Sequence, residues 1–152
     1  MNSEYTIVPI RNKKIYGLNV SLTKSQNKNY EIINNLWKEF NVKLRCSELM
    51  KQAGGNWEKY AVTYKIGDLY KYFCGIPIEN ECCNGIFEEY KIYEGNYVVF
   101  QHKGSMYNIK NTLFTIYKKI IPENNFILNQ SEYFHFELYN HKFKWNNNDS
   151  II

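Results

Sequence analysis

The chain has 152 residues, of which 44% are apolar and 22% charged, and its net charge is +4. That length suits a single domain able to fold without a disulfide or metal staple, and the apolar fraction excludes a disordered tail. No run approaches the roughly 18 apolar residues of a membrane span and the N-terminus carries no signal-peptide pattern, so the expectation is a cytoplasmic protein spanning residues 1–152 as one domain.

Tyr5–Ile10 reads as a short opening strand and Ile15–Leu22 as the first clear one. In Asn29–Phe40, the residues Tyr30, Ile33, Leu36, Trp37 and Phe40 recur at helical spacing and form one apolar stripe. Cys46–Gln52 fits a helical turn closed by Gly54-Gly55. Tyr60–Ile66 alternates, with Tyr60, Val62, Tyr64 and Ile66 on one face, and Gly67-Asp68 turns it into Lys71–Ile78. After Asn84-Gly85 come Phe87–Tyr93 and, past Gly95-Asn96, Tyr97–His102. Ser105 can open a second helix, striped by Ile109, Leu113, Ile116 and Ile120, which Pro122 should end. Tyr133–Asn140 is the last strand, and Trp145–Ser150 leads only to Ile151-Ile152.

A shift of 80 positions lays Leu36-Trp37-Lys38 over Ile116-Tyr117-Lys118 and Gly17–Leu22 over Tyr97–His102. The expected fold is therefore α+β. Two β-α-β-β units, about 4–80 and 85–152, make an antiparallel sheet with two helices on one face and a ligand cleft between the repeats, the last strand being absent or cut short. An uncovered edge there would favour association with another chain, and the expected state is a monomer or homodimer.

Several chemistries are set aside. Cys46, Cys74, Cys82 and Cys83 form no CxxC pair, and a metal site from Cys82, Cys83 and His102 is a poor fit to tetrahedral ligation; neither metal nor cofactor is expected. Lys13-Lys14 and Lys118-Lys119 are isolated doublets, and no helix-turn-helix or RNA-recognition pattern accompanies them, so direct nucleic-acid binding is not expected. No nucleophile motif or phosphate loop appears.

Aromatic residues make up 17% of the chain, including 14 tyrosines, whose hydroxyls want partners when buried. In Tyr133–Asn140, Phe134, Phe136 and Leu138 point one way, suited to packing against helices. Tyr133, His135, Glu137 and Tyr139 point the other way. By pattern alone Glu137 is more simply a solvated residue on an outer strand face. Facing its first-repeat counterpart, in which Tyr64 falls, the same side forms an aromatic cleft around a carboxylate, suited to a lipophilic cation. Trp37, whose default is core packing, can show its indole edge there, and Tyr107 can stand at the mouth or on the plain surface.

Leu36-Trp37-Lys38-Glu39-Phe40, Gly95–Gly104, Ile121-Pro122 and Phe136-Glu137-Leu138-Tyr139 occur in an order that resembles the GyrI-like small-molecule-binding family, the effector-binding domain of AraC-type regulators. The resemblance covers about Gly17–Phe143. It implies a duplicated β-α-β-β fold with a cleft between its halves, and Glu137 as the pocket acid for cationic lipophilic ligands. Tyr117 stands where the family's helices often carry Trp. The implied functions are, first, a stand-alone module that sequesters a small hydrophobic, cationic compound or reports it to a transcription regulator. The second is a hydrolase of strained cyclopropanoid compounds with Glu137 as general base and Tyr139 as its acid partner. The third is a DNA gyrase-directed binding module using the acidic stretch Glu79–Glu94.

Overall fold

The computed structural model describes residues 5–45, 58–77, 87–127, 135–140, 142–143 and 152. Local signals set its first elements: β1 (Tyr5–Ile10), β2 (Lys13–Ser21) and then α1 (Gln26–Arg45). The helix begins before the predicted Asn29 because Ser25 caps it, its Oγ accepting the Lys28 N–H at 3.4 Å, while the Asn29 amide ties back to Thr23. It runs past Phe40 because Leu44 continues the buried stripe of Leu36 and Phe40, and Lys43 and Arg45 complement the negative end of its dipole. The turn expected at Cys46–Gln52 lies outside the described residues.

β3 (Lys59–Ile66) and β4 (Leu69–Pro77) form a two-residue hairpin in which Ile66 pairs with Leu69 and Gly67 takes the positive φ of 59° that the first loop position favours. β5 (Glu88–Ile92) and β6 (Gly95–Phe100) follow. The second helical run is composite: a 3₁₀ turn at Met106–Asn108, α2 (Ile109–Thr115), a π turn at Ile116–Ile120 and α3 (Ile121–Glu123). Pro122 marks the end of this run to within one residue, as expected. It sits at the start of α3, where a missing N–H costs little, and the turn before it is widened so that the Ile121 N–H reaches the Ile116 carbonyl. The run closes at Asn125, φ 55°, with Phe126 N–H bonded to the Ile121 carbonyl. β7 (His135–Tyr139) completes the described strands.

All pairings are antiparallel. Five strands lie in the order β5-β2-β4-β3-β7, and β1 pairs with β6 in a separate ribbon. The strands thus sort into two sheets rather than one, because β6 and β7 are not bonded to each other among the described residues. The pairing is reciprocal. About 80 residues after β1, β2 and α1 come β5, β6 and the helical run from Met106; β5 joins β2, and β1 joins β6. Ile152 exchanges backbone hydrogen bonds with His102 in both directions, echoing the Leu22–Tyr70 bond at the corresponding place in the first half.

The five-stranded sheet is covered on both faces. Against one, α1 packs Leu36, Phe40 and Leu44 onto Tyr16, Ala61, Tyr72, Cys74 and Tyr139. The other holds Ile15, Tyr60, Val62, Tyr64, Phe73 and Ile92, with Tyr97, Phe136 and Leu138 packed on them. This corrects one expectation about the last strand. Phe136 and Leu138 do not face the helices; Phe136 lies against the rings of Tyr60 and Tyr97, at 5.7 and 5.4 Å between centroids. The helical side is the side of Glu137 and Tyr139.

Candidate functional site

Register brings the site together. Ala61 lies opposite Glu137, Thr63 opposite His135 and Tyr72 opposite Thr63, so directly paired residues place Tyr72, His135 and Glu137 on the helix-facing side of the sheet. Ala61, fully buried, leaves room above it for the longer side chains. Glu137 keeps only 13% of its side chain exposed. The Tyr139 hydroxyl donates to its Oε1 at 2.9 Å, and His135 Nε2 stands 3.7 Å from its Oε2. The other ring nitrogen of His135 is hydrogen-bonded to the Tyr117 hydroxyl at 3.1 Å. From α1, the Trp37 indole N–H donates to the Tyr72 oxygen at 2.9 Å and its ring meets Tyr139 edge-on at 5.8 Å.

Four aromatic side chains and an imidazole therefore surround one carboxylate. The phenols report that arrangement electrostatically. Burial, and after it the nearby Glu137 charge, raises Tyr72 and Tyr139 well above the ordinary tyrosine range, and the same two causes push Tyr117 up to about 12. Each remains a neutral hydroxyl across the physiological range.

In front of the acid opens a cleft of about 760 Å³, within the size range of small-molecule sites. One wall is the second helical run, through Leu113, Ile116 and Tyr117. The opposite wall is β6, through Val98 and Phe100, and β7 supplies His135 and Glu137. Phe126 and Ile127 also line it. The cleft thus lies between the two sheets, where β6 and β7 stand apart. His102 belongs to its wall and is held there by Thr112 Oγ1 at 2.6 Å and the Ser105 carbonyl at 2.9 Å.

Of the residues expected at the site, Glu137 and His135 line the cleft, and Tyr139 and Trp37 stand behind the acid. Tyr64 is a correction: it points to the opposite face of the sheet, against the Tyr90 ring at 4.9 Å. Tyr133 and the side chain of Tyr107 lie outside the described residues. Tyr72 and Tyr117 join the constellation without having been expected in it. The signals existed, since Tyr72 alternates with Cys74 and Ile76, and Tyr117 lies four residues after Leu113. Among the described residues no group of three His, Cys, Asp or Glu side chains gathers for a metal, and Cys82 and Cys83 lie outside them. No described helix is long and apolar enough to cross a membrane.

Comparison with known proteins adds three findings. The family model described as integron-associated effector binding protein (Cass2) matches residues 6–150. No curated protein matches the sequence. Among solved structures, the fold is similar to SAV2435 bound to tetraphenylphosphonium, with a TM-score of 0.70, 10% identity and coverage of 97% of this chain and 89% of that one. It is also similar to an integron cassette protein from the mobile metagenome of Vibrio cholerae, with a TM-score of 0.54, 16% identity, and 89% and 87% of the two chains covered. The EcmrR C-terminal domain is similar at a TM-score of 0.52 and 15% identity, over 84% and 79% of the chains. At these identities the likeness is one of fold.

Proposed function

The chain belongs to the integron-associated effector binding protein family, and from that premise we propose that it binds a lipophilic organic cation in the cleft before Glu137. The observation that carries the reading is the state of the acid. Glu137 is largely withdrawn from water beside an apolar cleft, and among the described residues no lysine or arginine lies within ion-pair reach of it. A carboxylate desolvated without a fixed cationic partner gains from a guest that brings the charge, and the rings around it supply faces for cation–π attraction. Tetraphenylphosphonium, the compound bound in the structure of SAV2435, has the required chemistry and is the natural probe.

Titration with tetraphenylphosphonium, followed by tryptophan fluorescence, should show saturable one-to-one binding, because Trp37 meets edge-on the tyrosine that holds the acid. Glu137→Gln should weaken that binding about tenfold or more, the scale of losing a charge-assisted contact in a low-dielectric site. Binding unchanged in Glu137→Gln would remove the acid from the recognition. The reading extends to reporting the bound compound to a transcription regulator, which co-purification of a regulator in the presence but not the absence of the cation would support.

A further inference from the structure

Glu137 is not wholly alone: among the described residues, the side chain within ion-pair reach of it that can carry a positive charge is a histidine. His135 is three-quarters buried, its Nε2 is 3.7 Å from Glu137 Oε2, and Tyr117 fixes the ring from the other side through Nδ1 at 3.1 Å. Imidazole is the side chain whose ordinary charge change falls between pH 5 and 8. We propose that His135 makes the cleft an exchanger of a proton for an organic cation. As imidazolium it is the internal counter-ion of Glu137; when a cationic guest enters, the imidazolium gives its proton to solvent and the guest takes over the pairing. The proposal rests on the reading of the cleft as a cation site and names what competes for it.

The surroundings fit a device with one titrating member. Against His135 stand Glu137 from β7 and Tyr117 from the π turn, while its register partner on β3, Thr63, carries no charge; on the same face Tyr139 bonds Glu137 further along β7, and Tyr72 of β4 lies one strand beyond Thr63. Tyr72, Tyr117 and Tyr139 stay neutral over the range in which imidazole titrates. Glu94 and Lys142 also line the cleft. His102, the other described imidazole of the wall, has both ring nitrogens engaged within that wall, by Thr112 and Ser105. Tyr117 serves either state of His135, since its hydroxyl donates to a bare Nδ1 and accepts from a protonated one.

The sign follows from proton linkage. A guest that favours the neutral ring binds more weakly where the ring is charged, and the affinity changes by at most tenfold per pH unit for one exchanged proton. Binding of tetraphenylphosphonium, whose own charge does not titrate, should therefore tighten at least about fivefold between pH 5.5 and 8 and level off at the upper end. Calorimetry in two buffers of different ionisation heat should register a fraction of one proton released near pH 6 and almost none at pH 8. His135→Gln should lose the slope, its affinity for tetraphenylphosphonium being the same at pH 5.5 and pH 8. Affinity independent of pH in the wild type, absence of proton release, or a slope that persists in His135→Gln overturns the proposal while leaving the cation site standing. Failure of the probe to bind at any pH removes the cation site itself. The calorimetric arm uses the wild-type protein and decides the matter even where the variant does not fold.

Discussion

The Tyr139 hydroxyl has one proton to give, and in this structure Glu137 receives it. Tyr139→Phe should therefore cost about 1–3 kcal/mol, the range for leaving a buried acceptor short of its donor, read as a lowered urea midpoint at unchanged slope. A midpoint equal to wild type would mean that Glu137 draws its donor from water and stands more open than its burial indicates. Cys74 gives a second test at this scale. It is fully buried against α1, and burial pushes its thiol up to about 12, so iodoacetamide should leave it unmodified in the native protein and label it after denaturation, as peptide mass spectrometry would show. What the sequence revealed at this scale is uneven for a physical reason. Period-two alternation tells which residues share a face, and it correctly grouped His135, Glu137 and Tyr139. It does not tell which face meets a helix, which is why the expectation that Phe136 and Leu138 face the helices and Tyr64 the site fails. Two-sided burial of the sheet removes the polar contrast that would have decided the matter.

Among the elements, the junction of β2 and β4 is the least forgiving. Gly17 lies opposite Gly75, and a Cβ at 17 would fall 1.8 Å from the Cys74 carbonyl oxygen. Backbone cannot give way there as a flexible side-chain end would, so Gly17→Ala should destabilise by about 1–3 kcal/mol or more, measurable by urea denaturation. Gly67, whose positive φ serves the hairpin but whose would-be Cβ meets open space, is a matched control in which only backbone strain is added. The second helical run shows how far local rules reach. Its stripe of Ile109, Leu113, Ile116 and Ile120 is visible in the sequence, and Ile116 and Ile120 are indeed buried. Pro122 is equally visible and falls one residue before the run ends, but the widened turn ahead of it has no sign in the sequence pattern. Proline forbids one hydrogen bond and one carbonyl position, and whether a chain answers by ending or by opening depends on what the next turn can pack against. Here Phe126, just beyond, meets the Tyr5 ring edge-on at 5.1 Å, a contact 121 positions away along the chain that no local pattern contains.

For the whole molecule, reciprocal pairing of β1 with β6 and β5 with β2 ties the two halves into each other, and β3 against β7 joins them again at the other edge of the five-stranded sheet. The repeat in the sequence foreshadowed the halves, but the division into two sheets depends on what lies between β6 and β7, which periodicity does not address. The tyrosines gathered by this arrangement make a prediction that belongs to the entire fold. Tyr60, Tyr72, Tyr117 and Tyr139 are all raised, chiefly by burial; Glu58 adds to the effect at Tyr60 and Glu137 at the other three. A phenol raised in the folded state keeps its proton there while the unfolded chain, titrating near pH 10, gives it up. The stability these groups contribute is therefore fully present below about pH 10 and is lost as pH rises beyond it, through about 12 for Tyr117. The urea midpoint should hold level from about pH 8 to 10 with respect to these groups and then fall steeply, while the ring resonances of Tyr72, Tyr117 and Tyr139 in NMR spectra stay those of neutral phenols until structure is lost. Ionisation of these three rings in the native protein below about pH 10, before any unfolding, would mean that the ring-lined interior around Glu137 admits water freely, and the desolvation on which cation capture depends would be lost with it.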